Sequence, residues 1–397
     1  MKNRYLLIIL FAGVLLAGCR KNEPPDPVDT DPKTFIMFGN LGSYYSGNIE
    51  SAGSAVAAGA LIEGQRLVVY QDMSPENRLY EIVRDATQTD GYRKELIKTY
   101  DRTVSSFDPQ RMRTILQDAI AAAPANHYGL SIGSHGTSWL HTGIYKPSDI
   151  HQSKKAVVMH SAISAELEEF MPLLVPKGED TETRNMNHEL DIEKLPGIFE
   201  GLGLDFILLD QCFMGAIEVI YELRNSAPYL IVSPAEVLIY GFPYAKVVKS
   251  LFSDWSNLSA VCHQFADHYK NDGVATVSLI NTSKINSLAA AAKAIVNNGV
   301  NLNVKQADIQ VYYSKGMFYD FQQYVEKLSK NSVLTQEFID RLDEVVEYTE
   351  TNGYYYSRIP LKYYSGLTTY VPDPTKYPIF YTSYQKTSWY KFIKGIE

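Results

Sequence analysis

Short continuous apolar runs alternate along this chain with segments in which apolar residues recur every three or four positions. "TFIMFGN" (34–40), "QRLVVYQD" (65–72), "HYGLSIGSHG" (127–136), "LDFILLD" (204–210) and "YLIVSP" (229–234) are the continuous runs. Each is short and closes at Gly, Asn, Asp or Pro, so each reads as a strand. "LDFILLD" has no alternation at all, which predicts burial on both faces of a sheet. Between the strands, "AGSAVAAGALIEG" (52–64) reads as a helix closed by Gly64. In "SSFDPQRMRTILQDAIAAA" (105–123), Asp108 is placed as N-cap and Pro109 at the first helical position. Met112, Ile115, Leu116, Ala119 and Ile120 then form its buried stripe. "LDIEKLPGIFEGLG" (190–203) and "FMGAIEVIYELRN" (213–225) read as further helices.

Strand and helix in alternation predict an α/β fold with a mainly parallel sheet covered by helices on both faces. Residues 34–250 form this expected core, interrupted by a polar stretch at 141–187 that reads as a loop with a hairpin at "KAVVMHSA" (155–162). Residues 251–397 read as a C-terminal subdomain packed on the core, mostly helical ("AAAAKAIVNN", "EFIDRLDEVVEYTE") and ending in aromatic strands, "SGLTTYVP" (365–372) and "PIFYTSY" (378–384).

The amino-terminal residues follow other rules. Lys2 and Arg4 precede the apolar run "YLLIILFAGVLLAG", which is short for a membrane span and ends in "LAGC" (16–19). Residues 1–18 therefore read as a signal peptide. The pattern resembles a bacterial lipobox, which would lipidate Cys19 and hold the protein on a membrane of the cell envelope, on its periplasmic or surface side; an ordinary signal peptide or short anchor is the other reading. Residues 19–33, with four prolines among alternating charges, read as an extended tether. A net charge of −8 without any basic stripe argues against a nucleic-acid partner. Of three cysteines, setting Cys19 aside leaves Cys212 and Cys262, too few for a disulfide scaffold. Cys262, on the apolar face of "LSAVCHQFADHY", reads as buried filler.

Chemistry collects at two strand ends. Ligands of open parallel sheets bind beyond the carboxyl ends of the strands. One such end carries "GSHGTSW" (133–139), with His135 set among Gly133, Ser134 and Gly136; the other carries Asp210-Gln211-Cys212. Neighbouring strands lie about 4.8 Å apart, so adjacency would put imidazole and thiol on one rim. A helix directly after Cys212, together with an imidazolium, would favour the thiolate. Each residue has a plainer reading: a capping or surface histidine, a core cysteine, an aspartate that caps the next helix.

An apolar strand ending in His-Gly, followed later by one ending in Asp-x-Cys, resembles the clostripain family of cysteine peptidases, which belongs to the clan with the caspase-like fold. "FIMFGNLGS" resembles the family's opening strand and "SHGTSW" its histidine motif. "LLDQCFMGAIEVIYEL" is similar to the nucleophile strand and the helix after it. "YLIVSPAEVLIYGFPY", "SGLTTYVP" and "TSWYKFI" resemble later landmarks, so the likeness spans about residues 34–394. It implies that Cys212 is the nucleophile and His135 its acid/base partner. It further implies an oxyanion hole from the N–H groups of Gly136 and Cys212, and a pocket floored by Asp210 that takes Arg or Lys before the scissile bond. Residues two apart on a strand share a face, which independently sets the Asp210 carboxylate beside the thiol. Glu236 is expected to help attract the basic side chain.

The resemblance also implies a precursor cut after a basic residue of the 141–187 loop, with Lys146, Lys154, Lys155, Lys177 and Arg184 as candidates. No cofactor is expected; some members depend on calcium, and this sequence has no EF-hand pattern. Two positions depart from the family: Gln211 stands where a small residue is usual, and Thr137-Ser138 where Ser-Gly is frequent. "GLSIG" (129–133) matches a serine-hydrolase elbow, but "SHGTSW" after it is a poor helix start. The non-enzymatic alternative is a catalytically silent surface lipoprotein that binds peptide or glycan. The eight histidines are scattered, with no close ligand pair beside a carboxylate on one helix face.

Overall fold

The computed structural model of the chain describes residues 31–40, 44–73, 75–142, 190–238, 240–253, 257–313, 317–355, 359–375 and 378–396. Cys19, residues 1–18, most of the tether, the 155–162 hairpin and all five basic cleavage candidates lie outside these residues.

The first half of the chain supplies β1 (Lys33–Gly39), α1 (Tyr44–Ala57), β2 (Gln65–Gln71), β3 (Asn77–Arg84), β4 (Tyr92–Tyr100), α2 (Pro109–Ala122) and β5 (His127–Gly133). After the 141–187 stretch come α3 (Leu195–Phe199), β6 (Leu204–Asp210), α4 (Ile217–Glu222), β7 (Tyr229–Val232), α5 (Tyr244–Ser253) and α6 (Ser259–His268). The remainder includes β8 (Thr276–Asn281), α7 (Ile285–Asn297), β9 (Tyr319–Asp320), α8 (Phe321–Leu328), α9 (Ser332–Val345) and β10 (Val346–Thr351).

Nine of these strands make one sheet in the order β10-β8-β7-β6-β5-β1-β2-β3-β4. The centre, from β7 to β2, is parallel, and antiparallel pairs close both sides. Alternate residues of the central strands feed two separate cores. Ile36, Phe38, Leu130, Ile132, Ile207 and Leu209 join the core beneath α2, α3, α4, α7 and α9. Phe35, Met37, Leu67, Phe206 and Leu208 join the core beneath α1, α5 and α6. A strand buried on both faces is apolar at successive positions, which is why β1 over residues 35–38 and β6 over residues 206–209 carry no alternation. Asp108 does cap α2, its carboxylate accepting from Arg111 N–H at 2.9 Å.

Several elements differ from the sequence expectation. The β3–β4 hairpin was not anticipated, because β4 ("YRKELIKTY") is a charged, largely exposed edge strand without an apolar run. Such charges keep a free sheet edge from pairing with another chain. β8 and β10 continue the central sheet past residue 250, and β10 begins where helical periodicity in "EFIDRLDEVVEYTE" still persists. "PIFYTSY" is a helix, Pro378–Tyr384, and "SGLTTYVP" contributes a strand of only two residues, Thr368–Thr369. The helix after Cys212 starts at Ile217 and is six residues long. A turn separates it from the thiol, so the helix terminus is not positioned to stabilise a thiolate.

Candidate active site

Gly39, Gly133 and Asp210, the last residues of β1, β5 and β6, are paired side by side across the sheet. Chain order reverses between β1 and β5, since β1 is followed on one side by β2 and on the other by β5. This is the switch point where α/β sheets open a crevice. The two terminal glycines are required by what lies over them. A Cβ on Gly39 or Gly133 would sit 1.8 Å or 2.1 Å from the Tyr45 ring, which fills the notch from the start of α1.

Beyond this rim, His135 and Cys212 each stand two residues past a paired strand end, Gly133 and Asp210. Both line one pocket with Tyr45, Asn48, Ser134, Asp210, Gln211, Val237, Leu238 and Gly241. The fold thus brings together His135, Gly136, Asp210 and Cys212 from segments about seventy-five residues apart.

Asp210 is buried. One of its oxygens, Oδ2, accepts from Phe242 N–H at 3.1 Å, the Tyr244 hydroxyl at 3.2 Å and Asn48 Nδ2 at 3.4 Å. The other, Oδ1, has no hydrogen-bond partner among the described residues. Burial pushes the carboxyl pKa up to about 6 despite those three donors. Gly241, in the left-handed region at φ +60°, keeps the space open: a Cβ there would meet Asp210 Oδ2 at 2.4 Å.

The Cys212 sulfur lies against the next loop, accepting from Val237 N–H at 3.4 Å and donating to Val237 O at 3.5 Å. Burial pushes its pKa up to about 12, with the nearby Glu236 and Asp210 carboxylates adding to the effect. Such a shift disfavours the thiolate, where a helix terminus and an imidazolium at the sulfur would have favoured it. His135 reaches solvent at the pocket rim, yet enough protein crowds the ring for desolvation to lower its pKa. His135 and Cys212 share the pocket, and the hydrogen-bond partners of the sulfur among the described residues are Val237 N–H and O, not the imidazole.

The turn that presents Cys212 is held hard. Phe213 adopts φ +61°, a conformation costly for a bulky residue. It is kept there by Phe213 N–H donating to Ala235 O at 2.8 Å and by a parallel stack on Phe318 at 4.4 Å. Two residues on, Gly215 N–H donates to Ser233 O at 2.8 Å. The histidine loop is anchored by Trp139, fully buried and 5.0 Å from the Tyr370 ring. Glu236 belongs to the segment walling the pocket, but its side chain is not among the lining groups. Burial raises its pKa to about 8.

Gln211 was noted in the sequence only as a departure from a pattern. Its side chain in fact joins the two loops, through Ser134 Oγ and His135 O. No local signal marks such a tie. Among the described residues, no group of three or more His, Cys, Asp or Glu could hold a metal ion. None of the described helices is long and apolar enough to cross a membrane.

A mainly parallel sheet between two helical layers, with a cysteine and a histidine at adjoining strand ends, defines a caspase-like cysteine peptidase. A model of the clostripain family matches residues 40–392, and the chain belongs to that family. No curated protein matches the sequence significantly. Among solved structures it is similar to an inactive zymogen C11 protease from Parabacteroides distasonis, at 24% identity and a TM-score of 0.73 over 92% of this chain and 98% of that one. It is also similar to a secreted C11 cysteine protease from Bacteroides thetaiotaomicron, at 24% identity and a TM-score of 0.71 over 92% of this chain and 100% of that one. A structure of a secreted C11 cysteine protease from the same organism, in complex with an irreversible peptide inhibitor, aligns at 22% identity and a TM-score of 0.72, covering 92% and 99%. At these identities the likeness establishes the fold.

Proposed function

We propose that this peptidase cleaves peptide bonds after Arg or Lys through a Cys212/His135 dyad. The observation that carries the specificity is the Asp210 carboxylate, buried in the pocket with one oxygen unpartnered and no cation beside it among the described residues. A desolvated carboxylate without a counter-charge is costly, and a guanidinium or ammonium entering the pocket would relieve that cost by a charge-assisted hydrogen bond. Glu236 supports the reading more weakly, since burial keeps it mostly protonated at neutral pH and a nearby cation would be needed to ionise it.

With a basic side chain held there, the scissile carbonyl lies over the sulfur. His135 takes the thiol proton as Cys212 Sγ bonds to the carbonyl carbon, and the carbonyl π electrons move to oxygen. The N–H groups of Gly136 and Cys212 receive that oxyanion. The oxyanion re-forms the C=O, the C–N bond breaks, and the His135 imidazolium protonates the departing amine, leaving a thioester. Water, deprotonated by His135, attacks the thioester; the sulfur departs and regains a proton, and the acid product is released.

The same reading includes maturation by a cut in the 141–187 loop and attachment to the cell envelope through lipid on Cys19; "LAGC" supports the second. Cleavage of fluorogenic peptides ending in Arg, Lys, Gln or Leu tests the function. Arg or Lys substrates should be strongly preferred, and Cys212→Ala should abolish turnover. Full activity in Cys212→Ala would remove the nucleophile assignment. Binding without cleavage by the intact, matured chain would favour the silent peptide-binding alternative.

A further inference from the structure

We infer that Gln211 is a positioning residue for the general base, acting on His135 through its main chain; this rests on the assignment of Cys212 and His135 as the reacting pair. Gln211 is the bend residue between Asp210, the last residue of β6, and Cys212, and it lines the pocket with both. From there Gln211 reaches across to the end of β5. Its Nε2 donates to Ser134 Oγ at 2.5 Å and to the His135 carbonyl at 3.1 Å. Ser134 Oγ donates to that same carbonyl at 3.0 Å. The amide orientation follows from its partners: a hydroxyl already donating must accept from Gln211, and a carbonyl can only accept. The three groups close a small ring around His135 O.

Directly beyond, Gly136 packs on the same residue, and a Cβ there would meet Gln211 Cβ at 3.0 Å. The histidine loop is therefore fixed to the nucleophile loop at two consecutive positions, one by hydrogen bonds and one by contact. The imidazole itself has no such restraint. Among the described residues none hydrogen-bonds the His135 ring, and its pKa is displaced by desolvation alone. In Cys/His enzymes a third group usually orients the base. Here the orientation would be imposed at the peptide carbonyl, one bond from the His135 α-carbon. A base misplaced by a fraction of an ångström loses much of its effect, which gives the tie a catalytic consequence.

The experiment compares Gln211→Met, Gln211→Glu and Cys212→Ala in the full chain, using an Arg-linked fluorogenic peptide. Gln211→Met keeps the volume but donates nothing. It should lower kcat about tenfold or more, with KM within about twofold because Asp210 and the groups that donate to it, Phe242 N–H, Tyr244 and Asn48, are unchanged, and without a large fall in Tm. Gln211→Glu should be equally impaired at pH 8. Relative to the parent it should recover as the pH falls towards about 5, where a protonated carboxyl can donate to the His135 carbonyl. An unchanged kcat in Gln211→Met, a loss confined to KM, or a flat ratio of Gln211→Glu to parent activity across pH would each overturn the inference. Those outcomes leave the dyad intact if Cys212→Ala is inactive; an active Cys212→Ala would overturn the dyad itself.

Discussion

Gly136 faces the main chain of Cys212 so closely that a β-carbon on it would sit 2.3 Å from the Cys212 carbonyl oxygen and 3.0 Å from its nitrogen. The requirement for glycine here is one of space: residue 136 is not among those with positive φ. Gly136→Ala must push the histidine loop away from the nucleophile turn. A displacement near 1 Å can cost about a hundredfold in rate, so kcat should fall by that order. Steady-state kinetics beside a melting curve check it; an alanine variant with parental kcat would show that the loops adjust freely.

The ionisation of Asp210 should be visible in specificity. With burial raising its pKa to about 6, the carboxylate is mostly charged above that pH and mostly neutral below it. A guanidinium gains an ion pair only in the charged state. The ratio of kcat/KM for an Arg peptide to that for its uncharged citrulline isostere should therefore rise with pH through about 6. Taking the ratio cancels the titration of His135, which affects both substrates alike. A ratio independent of pH between 5 and 8 would mean that Asp210 does not receive the basic group.

The same carboxylate should weaken the fold at neutral pH. A pKa raised from about 3.9 to about 6 contributes stability below the lower value, and that contribution is lost as pH rises through the higher one. Asp210→Asn should consequently unfold at higher temperature than the parent at pH 8, by about 2–3 kcal/mol in stability, and the two should converge near pH 4. Cleavage after Arg should drop in the same variant. Denaturant titrations at the two pH values provide the comparison.

Thiol reactivity separates a preformed ion pair from general-base activation. Because burial and the adjacent carboxylates hold the Cys212 pKa near 12, alkylation by iodoacetamide should be slow at pH 7. The rate should climb about tenfold per pH unit through pH 9, following the thiolate fraction. A plateau already reached below pH 7 would point to a thiolate–imidazolium pair in the resting enzyme.

The anchoring of the cysteine turn predicts a structural defect distinct from the catalytic ones. Phe213 stacks on Phe318 at 4.4 Å and meets Tyr313 edge-on at 5.0 Å while holding a positive φ. Phe213→Ala leaves the backbone strained and empties the aromatic contact. It should destabilise the protein by about 3–5 kcal/mol. A melting curve indistinguishable from the parent would show that the stack does not hold the turn.

Burial leaves a local signature, and the chain displays it. The strands buried on both faces, the cap of α2 and the rim residues His135, Asp210 and Cys212 were legible because apolar runs, capping residues and strand alternation are properties of neighbouring positions. The edge hairpin β3–β4 and the late strands β8 and β10 were not, since their charge and mixed periodicity make sense only beside partners distant in the chain. The order of strands, the contact of Gly136 with Cys212, the tie from Gln211 and the upward push on the thiol pKa were decided by the folded structure. Each depends on which groups surround an atom in three dimensions, and a pKa in particular follows the total water excluded and charge assembled around it. Residue types therefore singled out two strand ends, while packing determined how those ends meet and what surrounds their titratable groups.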